Sequence, residues 1–353
     1  LPLPLVGRQT PVIHVSEPTS ASFPVKKITR VGGDVSGWSP DGRSVYWSIG
    51  RRFFRYLPAV GDSLEKLKVS SDSARADSIK ADTTRAKPDS AGKARADSIA
   101  KSPAYEAARI DVDIHAPRDT PRGTVVLRGA RIVTMKGDEI IENGDIVVTD
   151  NRIVSVGPRG TSVPNGAKVV DVSGKTIIPG FVDVHAHMWP TWGIHETQVW
   201  KYLANLAYGV TTTRDPQTST TDVLTYSDLV ETGELLGPRV YSTGPGVFWD
   251  ENFQSLDDAK DALRRYSEFY RTNTIKEYMT GNRKQRQWTI MAARELHLMP
   301  TTEGGLDFKM NLTEALDGYP GHEHSYPIMP LYKDAVQLIA QSGINYTQTL
   351  LVS

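Results

Sequence analysis

The chain has no cysteine among its 353 residues. That absence excludes disulfide frameworks, cysteine-ligated zinc ribbons and thiol nucleophiles, and it removes any redox clue to compartment. Neither sign of charge is in excess: Lys plus Arg and Asp plus Glu both number 41, so the formal net charge is zero. Nucleic acids and anionic membranes attract a basic excess, and none exists overall, so neither is an expected partner. No run of about 18 apolar residues occurs, so no transmembrane helix is expected. The first residues, Leu1-Pro2-Leu3-Pro4-Leu5, lack the basic start and apolar core of a secretory signal. The length is enough for two or three domains.

Composition divides the chain. Residues 1–61 read as β structure. In Trp38-Ser39-Pro40-Asp41-Gly42-Arg43-Ser44-Val45-Tyr46-Trp47, a turn runs into an alternating, aromatic-rich strand. The pattern resembles one blade of a TolB- or tricorn-type β-propeller. One blade cannot bury its own faces, and propellers use about 4–8. The resemblance therefore implies a propeller fragment, and with it a periplasmic or exported protein. Residues 62–118 read as a linker. Ala74-Arg75-Ala76-Asp77-Ser78-Ile79 recurs as Ala94-Arg95-Ala96-Asp97-Ser98-Ile99, in a stretch rich in Ala, Asp, Ser, Lys and Arg. Such a stretch buries too little apolar surface to offset its ordering entropy, so disorder or transient helix is expected. Residues 119–179 hold short β-branched runs separated by turn residues such as Asp150-Asn151.

The most informative segment is Ile177-Ile178-Pro179-Gly180-Phe181-Val182-Asp183-Val184-His185-Ala186-His187. Its apolar run predicts a short buried strand, and residues i and i+2 of a strand share a side. His185 and His187 can then reach one point. Imidazole is a common metal ligand and suits zinc.

The segment 170–187, with Asp171, Gly174-Lys175, Pro179-Gly180, Asp183, His185 and His187, resembles the signature of the amidohydrolase superfamily. Gly209-Val210-Thr211-Thr212-Thr213-Arg214-Asp215 and Gly321-His322-Glu323-His324 are similar to the second and sixth barrel-strand motifs of its imidazolonepropionase-like branch. The resemblance spans about residues 120–353. It implies an α/β fold: a small β-sandwich over 119–179, then a (β/α)8 TIM-type barrel over 180–353 with metal ions at the C-terminal strand ends. Alternating patterns predict strands 1 to 7: strand 1 ending at 187, then 210–214, 239–242, 274–279, 299–302, 321–325 and 345–351. Helices are expected over 196–208, 257–270, 285–296 and 333–342. Strand 8, whose aspartate takes the water's proton in this superfamily, would lie beyond residue 353. The barrel is thus expected to be incomplete and the chain a poorly soluble fragment.

Residue by residue, the resemblance assigns metal-ligand roles to His185, His187 and His324. Lys276 matches a strand-4 lysine that several branches carboxylate to bridge two metals, with Glu277 as an alternative if Lys276 turns outward. On strand 5 the family usually has histidine. Here the strand leads into Glu303, whose carboxylate can also ligate zinc and could admit manganese or iron. For substrate contacts the candidates are Trp189, Arg283 and His322. Arg283 opens a helix in a basic run, where a carboxylate could be held. His322 shares the expected face of His324.

The expected function is metal-dependent hydrolysis of a C–N bond in an amide, dipeptide-like or cyclic amide. The expected cofactor is zinc, as one or two divalent ions, and the partner a small-molecule or peptide-like substrate. Two alternatives stay open: a deaminase of the same superfamily, and a non-catalytic, propeller-linked binding protein with a degenerate metal site.

Overall fold

A computed structural model of the protein describes residues 13, 21, 25–82, 105–160, 162–248, 251–305 and 307–349. The chain begins with β1 (Asp34–Trp38), β2 (Val45–Ile49), β3 (Arg52–Tyr56), α1 (Pro58–Asp82) and β4 (Ala108–Asp111). Then come β5 (Thr124–Val133), β6 (Ile140–Thr149), β7 (Arg152–Pro158), β8 (Lys168–Asp171) and β9 (Thr176–Ile177). The alternating part follows: β10 (Phe181–Asp183), α2 (Trp200–Ala207), β11 (Val210–Asp215), α3 (Asp222–Glu231), β12 (Arg239–Ser242) and α4 (Leu256–Arg264). It continues with β13 (Thr274–Glu277), α5 (Arg283–Glu295), β14 (Met299–Thr302), α6 (Phe308–Asp317), β15 (Gly321–Glu323), α7 (Lys333–Ser342) and β16 (Asn345–Thr347). No helix among the described residues is long and apolar enough to cross a membrane.

Contacts divide the chain into two compact units. The first combines Leu1–Ile114, Glu251–Arg271 and Arg283–Leu296. Its sheet is a four-stranded antiparallel meander in the order β1-β2-β3-β4. Trp47 stacks on Phe54 across β2 and β3 at 5.4 Å, and Ile49 is fully buried. The tight turn before β2 is set by Asp41, which accepts from Ser39 Oγ and Arg43 N, and by Gly42 at φ 67°. β3 and β4 pair although residues 57–107 separate them. The low-complexity region is therefore an insertion between two strands of one sheet. Its first part forms the 25-residue helix α1, opened by Pro58, a residue that pre-sets φ for a first helical turn. Residues 83–104, with the second copy of the repeat, lie outside the described residues.

The same unit contains α4 and α5. Ser255 caps α4 by accepting from Asp258 N at 3.1 Å. The expected helix over 257–270 does not stay α-helical: after Arg264 it becomes a π-helical turn, Arg265–Tyr270, closed by Arg271 in the left-handed region. Tyr270 donates to Asp34 Oδ2 at 3.2 Å and Arg265 Nε to Val31 O at 3.0 Å. Lys260 reaches from α4 to Glu295 at the end of α5, 2.7 Å away.

The second unit combines His115–Asp250, Thr272–Asn282 and His297–Ser353. Its first part is one five-stranded sheet, β7-β6-β5-β8, with β9 also on β5. The expected sandwich is thus a single layer here, because all five strands hydrogen-bond through β5 and β6. Ala130, Ile132 and Ile146 form its core. The fully buried Asp145 accepts from Gly129 N and Gly160 N at 3.1 and 3.0 Å and from Arg128 Nε at 3.3 Å, so its charge is met.

The rest of the unit is a run of parallel strands in chain order. β10-β11-β12 form one arc and β13-β14-β15-β16 another. A parallel bridge between Val247 and Glu277 joins the arcs, with Val247 N on Lys276 O and Tyr278 N on Val247 O. Helices intervene, as short-range parallel pairing demands. Met188, Val199, Tyr202, Val223, Tyr226, Leu235 and Val240 pack α2 and α3 against the first arc. Strand 1 differs from expectation. β10 is only three residues long, and Phe181 and Val182 are exposed rather than buried. Its pairing with β11 ends at Asp183, so His185 and His187 sit on the segment beyond it. Helix α2 starts at Trp200 rather than 196, because the preceding loop is pinned by Tyr226: its hydroxyl accepts from Glu196 N at 2.7 Å and donates to Thr191 O at 3.1 Å.

Two tyrosines in this core separate packing from hydrogen bonding. Tyr226→Phe keeps the ring but leaves Glu196 N and Thr191 O without that hydroxyl, and should cost about 1–3 kcal/mol. The Tyr202 hydroxyl is buried without a hydrogen-bond partner. Tyr202→Phe should therefore be neutral or stabilising. Urea denaturation of both variants checks the contrast; equal losses would contradict it.

Candidate metal and catalytic site

The site is built at the C-terminal ends of the parallel strands in the second unit. β15 carries the main surprise. A period of two would put His322 and His324 on one side. Pairing of β15 ends at Glu323, however, and His324 takes φ 75°, in the left-handed region. The alternation breaks there. Glu323 points towards His185, and His324 swings round to the same group, its ring 5.2 Å from that of His185. His322 lies elsewhere: it stacks on Tyr326 at 4.7 Å, and its Nδ1 is 3.9 Å from Glu314 Oε2 on α6. Gly304 makes room for it, since a Cβ there would fall 2.1 Å from His322 Cε1.

The His185 and His187 rings stand nearly perpendicular at 5.4 Å. Each histidine is gripped through Nδ1. His185 Nδ1 is 2.7 Å from Glu323 Oε2. His187 Nδ1 is 2.9 Å from Gln217 O, with Asp215 Oδ1 at 3.7 Å, the latter an ion-pair distance rather than a hydrogen bond. His324 Nδ1 is 3.1 Å from Glu303 Oε1. A carbonyl and a carboxylate can only accept. His185 and His187 therefore donate from Nδ1 and keep their Nε2 atoms for another partner, while His324 Nδ1 stands at ion-pair distance from Glu303.

The carboxylates are themselves held. Arg214, on β11, places Nη1 2.6 Å from Glu323 Oε1 and Nη2 2.9 Å from Thr301 Oγ1 on β14. Side chains of β11 and β15 thus meet although three strands separate them in the order, so the two arcs curve towards each other. Lys276 is completely buried, with Nζ 2.6 Å from Glu303 Oε2 and 4.9 Å from the centre of the Tyr278 ring. The ammonium and carboxylate are close but misaligned for a hydrogen bond. Glu277 faces away from this group and accepts from Thr280 N and from Thr302 Oγ1, so Lys276 is the β13 residue that joins it.

Burial would raise the Glu323 carboxyl, but the His185 hydrogen bond and the Arg214 charge outweigh it and hold it down at about 2. Burial also works against Glu303, yet His324 and Lys276 keep it below its ordinary range. His187 is raised, first by the Asp215 carboxylate beside it, and Asp215 is raised by its own burial. Burial pushes His322 down to about 4.

The structure thus brings together His185, His187, His324, Glu303 and Lys276. Trp189 joins them: its ring is 5.2 Å from that of His187, and its Nε1 donates to Gln217 O at 2.7 Å. His322 is not in the group, and Arg283 opens α5 in the first unit. Glu323, Arg214, Asp215 and Gln217 were not singled out from the sequence, although Arg214, Asp215 and Glu323 lie inside the motifs that were. The charged residues that close β11 and β15 were the available signal. Among the described residues, no three His, Asp or Glu side chains close around one point to hold an ion as they stand. The donor chemistry still fits a divalent cation, because several Nε2 lone pairs and a carboxylate stand in one neighbourhood.

The fold is similar to that of several solved enzymes. A solved Xaa-Pro dipeptidase with bound methionine is similar over 64% of this chain and 66% of its own, at a TM-score of 0.52 and 16% identity. A prolidase complexed with N-methylphosphonate-L-proline gives 65% and 66%, 0.52 and 18%. Phenylurea hydrolase B gives 64% of each chain, 0.53 and 18%. The chain therefore spans just under two thirds of the length of each of these enzymes. No family model matches the sequence, and no curated protein does.

Acid stability should fall in two windows. A histidine lowered from 6.5 to about 4 stays neutral in the fold while the unfolded chain takes the proton. His322 therefore removes stability as pH falls from about 6.5 towards 4. Glu323, lowered from 4.5 to about 2, removes more as pH falls from about 4.5 towards 2. Urea midpoints across pH 7 to about 3 should decline through both windows, and His322→Gln should flatten the upper one. An unchanged upper slope in that variant would show that His322 titrates normally.

Proposed function

We propose that the protein is a metal-dependent hydrolase of C–N bonds in amide, dipeptide-like or cyclic amide substrates. The observation that carries the reading is the shared orientation of His185 and His187, each anchored through Nδ1 by a protein acceptor, with His324 beside them and its Nδ1 paired with Glu303. Metal-binding histidines are normally held this way, the second nitrogen being left for the ion. The fold likeness to an Xaa-Pro dipeptidase, a prolidase and a phenylurea hydrolase supports the same class. We read the parallel strands as part of a TIM-type barrel, whose reactive residues sit at the C-terminal strand ends. The antiparallel meander of the first unit fits one propeller blade in strand number.

His185, His187, His324 and Glu303 would hold the ion, with Lys276 completing the set as a carboxylated side chain. Zinc suits the imidazoles, and the carboxylate also admits manganese or iron. When bound, the metal supplies a polarised substrate carbonyl and a water acidified towards neutrality. The chain's own residues do the rest. Asp215 and the Gln217 carbonyl hold His187, while Glu323 and Arg214 hold His185. Trp189 offers a flat apolar surface beside His187 for a substrate side chain. Because His187 is raised by Asp215, protons compete with metal for its Nε2, and affinity should fall as pH drops.

The protein should bind zinc or manganese. It should also hydrolyse members of a panel of X-Pro dipeptides, N-acyl amino acids and phenylureas in a chelator-sensitive way. His185→Ala and His324→Ala should each abolish turnover, and Glu303→Ala should lower bound metal. Metal content and activity that survive loss of both histidines would refute the reading. Release of ammonia from an aminated heterocycle, with no amide turnover, would replace it by a deaminase.

A further inference from the structure

The buried pair formed by Glu323 and Arg214 has no part in the ligand set, yet it is the most constrained feature of the site. We propose that Glu323, locked by Arg214, is a positioning residue that fixes His185 as the tautomer protonated on Nδ1. The inference deepens the hydrolase reading and rests on it for its functional meaning. Its structural content stands without it.

Both oxygens of Glu323 are committed. Oε2 lies 2.7 Å from His185 Nδ1 and Oε1 lies 2.6 Å from Arg214 Nη1, and the side chain is only 1% exposed. No water is needed to complete the carboxylate's bonds to these partners. Arg214 is fixed in turn. Nη2 donates to Thr301 Oγ1 at 2.9 Å, and Nη1 also approaches Val184 O at 3.4 Å. One guanidinium therefore links β11 to β14, to β15 and to the segment after β10. Thr349 Oγ1 is the other group near His185 Nδ1, but at 3.5 Å it is much farther than Glu323. The carboxylate only accepts, so the proton sits on Nδ1. A neutral imidazole then has one lone pair left, on Nε2, in the orientation a metal ligand needs. Free imidazole side chains in water favour the opposite tautomer, with the proton on Nε2, so the protein must impose this one.

Glu323→Gln makes a sharp test. An amide has one acceptor oxygen, and Arg214 offers only donors. The oxygen turns to Arg214, the NH2 faces His185, and Nδ1 becomes an acceptor. The proton moves to Nε2, where it blocks metal. Nitrogen-15 NMR of histidine-labelled, metal-free protein reads this directly, at about pH 8, above the ordinary histidine range. The wild type should show His185 protonated on Nδ1, and Glu323→Gln should show it on Nε2. Zinc affinity, measured by chelator competition, should drop about 10- to 100-fold in the variant while the circular dichroism spectrum is unchanged. Wild-type His185 protonated on Nε2 overturns the proposal even if the variant fails to fold. A folded variant that keeps the proton on Nδ1 also overturns it. If the wild-type tautomer is as stated but the protein binds no metal, the positioning pair stands and the hydrolase reading fails.

Discussion

The second unit is organised around a buried carboxylate that must be neutralised. Glu323 emerges at the end of β15 into a space with almost no water, where an isolated carboxylate would be very costly. Only groups from other strands can meet it. Arg214 comes from β11 and His185 from the segment after β10. Satisfying one charge therefore requires the two parallel arcs to curve until distant strands face each other. Breaking either partner would leave the other charge buried and alone, which is the expensive outcome for such pairs. The geometry of the site follows from that requirement.

A second pairing shapes the other side of the group. The two oxygens of Glu303 lie between Lys276 and His324. An ammonium beside a carboxylate is a charge-neutral arrangement. A carboxylated Lys276 would place two anions together, and divalent cations would then be needed to hold them. Metal loading and the chemical state of Lys276 would in this sense be one equilibrium. In the proposed reading the carboxylate would also make the donor set harder than an all-imidazole one and would widen the range of metals it could accept.

Much of this was legible in the sequence because strand-end motifs are compact. His185, His187, His324, Lys276 and Glu303 were all singled out from spacing and resemblance, and they do converge in space. The order of parallel strands followed from the alternation of apolar runs with helical patterns. What escaped was conformational. A period of two assigned His322 to the site, but the left-handed backbone at His324 reversed the pattern. Nothing local marks that turn. Helices α3 and α6 and strand β4 were missed: α3 buries only Val223 and Tyr226, α6 buries the polar Asn311 and Glu314 beside Ala315, and β4 is exposed and placed by its pairing with β3. The low-complexity stretch looked like a boundary, although strands on either side of it pair in one sheet. Pairing across about 50 residues of chain leaves no periodic signal.

In the proposed site His185, His187 and His324 would present Nε2 to a common metal. X-ray absorption spectroscopy of protein loaded with one equivalent of zinc tests it most directly. The spectrum should show imidazole scattering with zinc–nitrogen distances of about 2.0–2.1 Å, reduced by roughly one imidazole in each single His→Ala variant. A zinc shell of oxygen atoms alone, or a spectrum unchanged by all three substitutions, would contradict it.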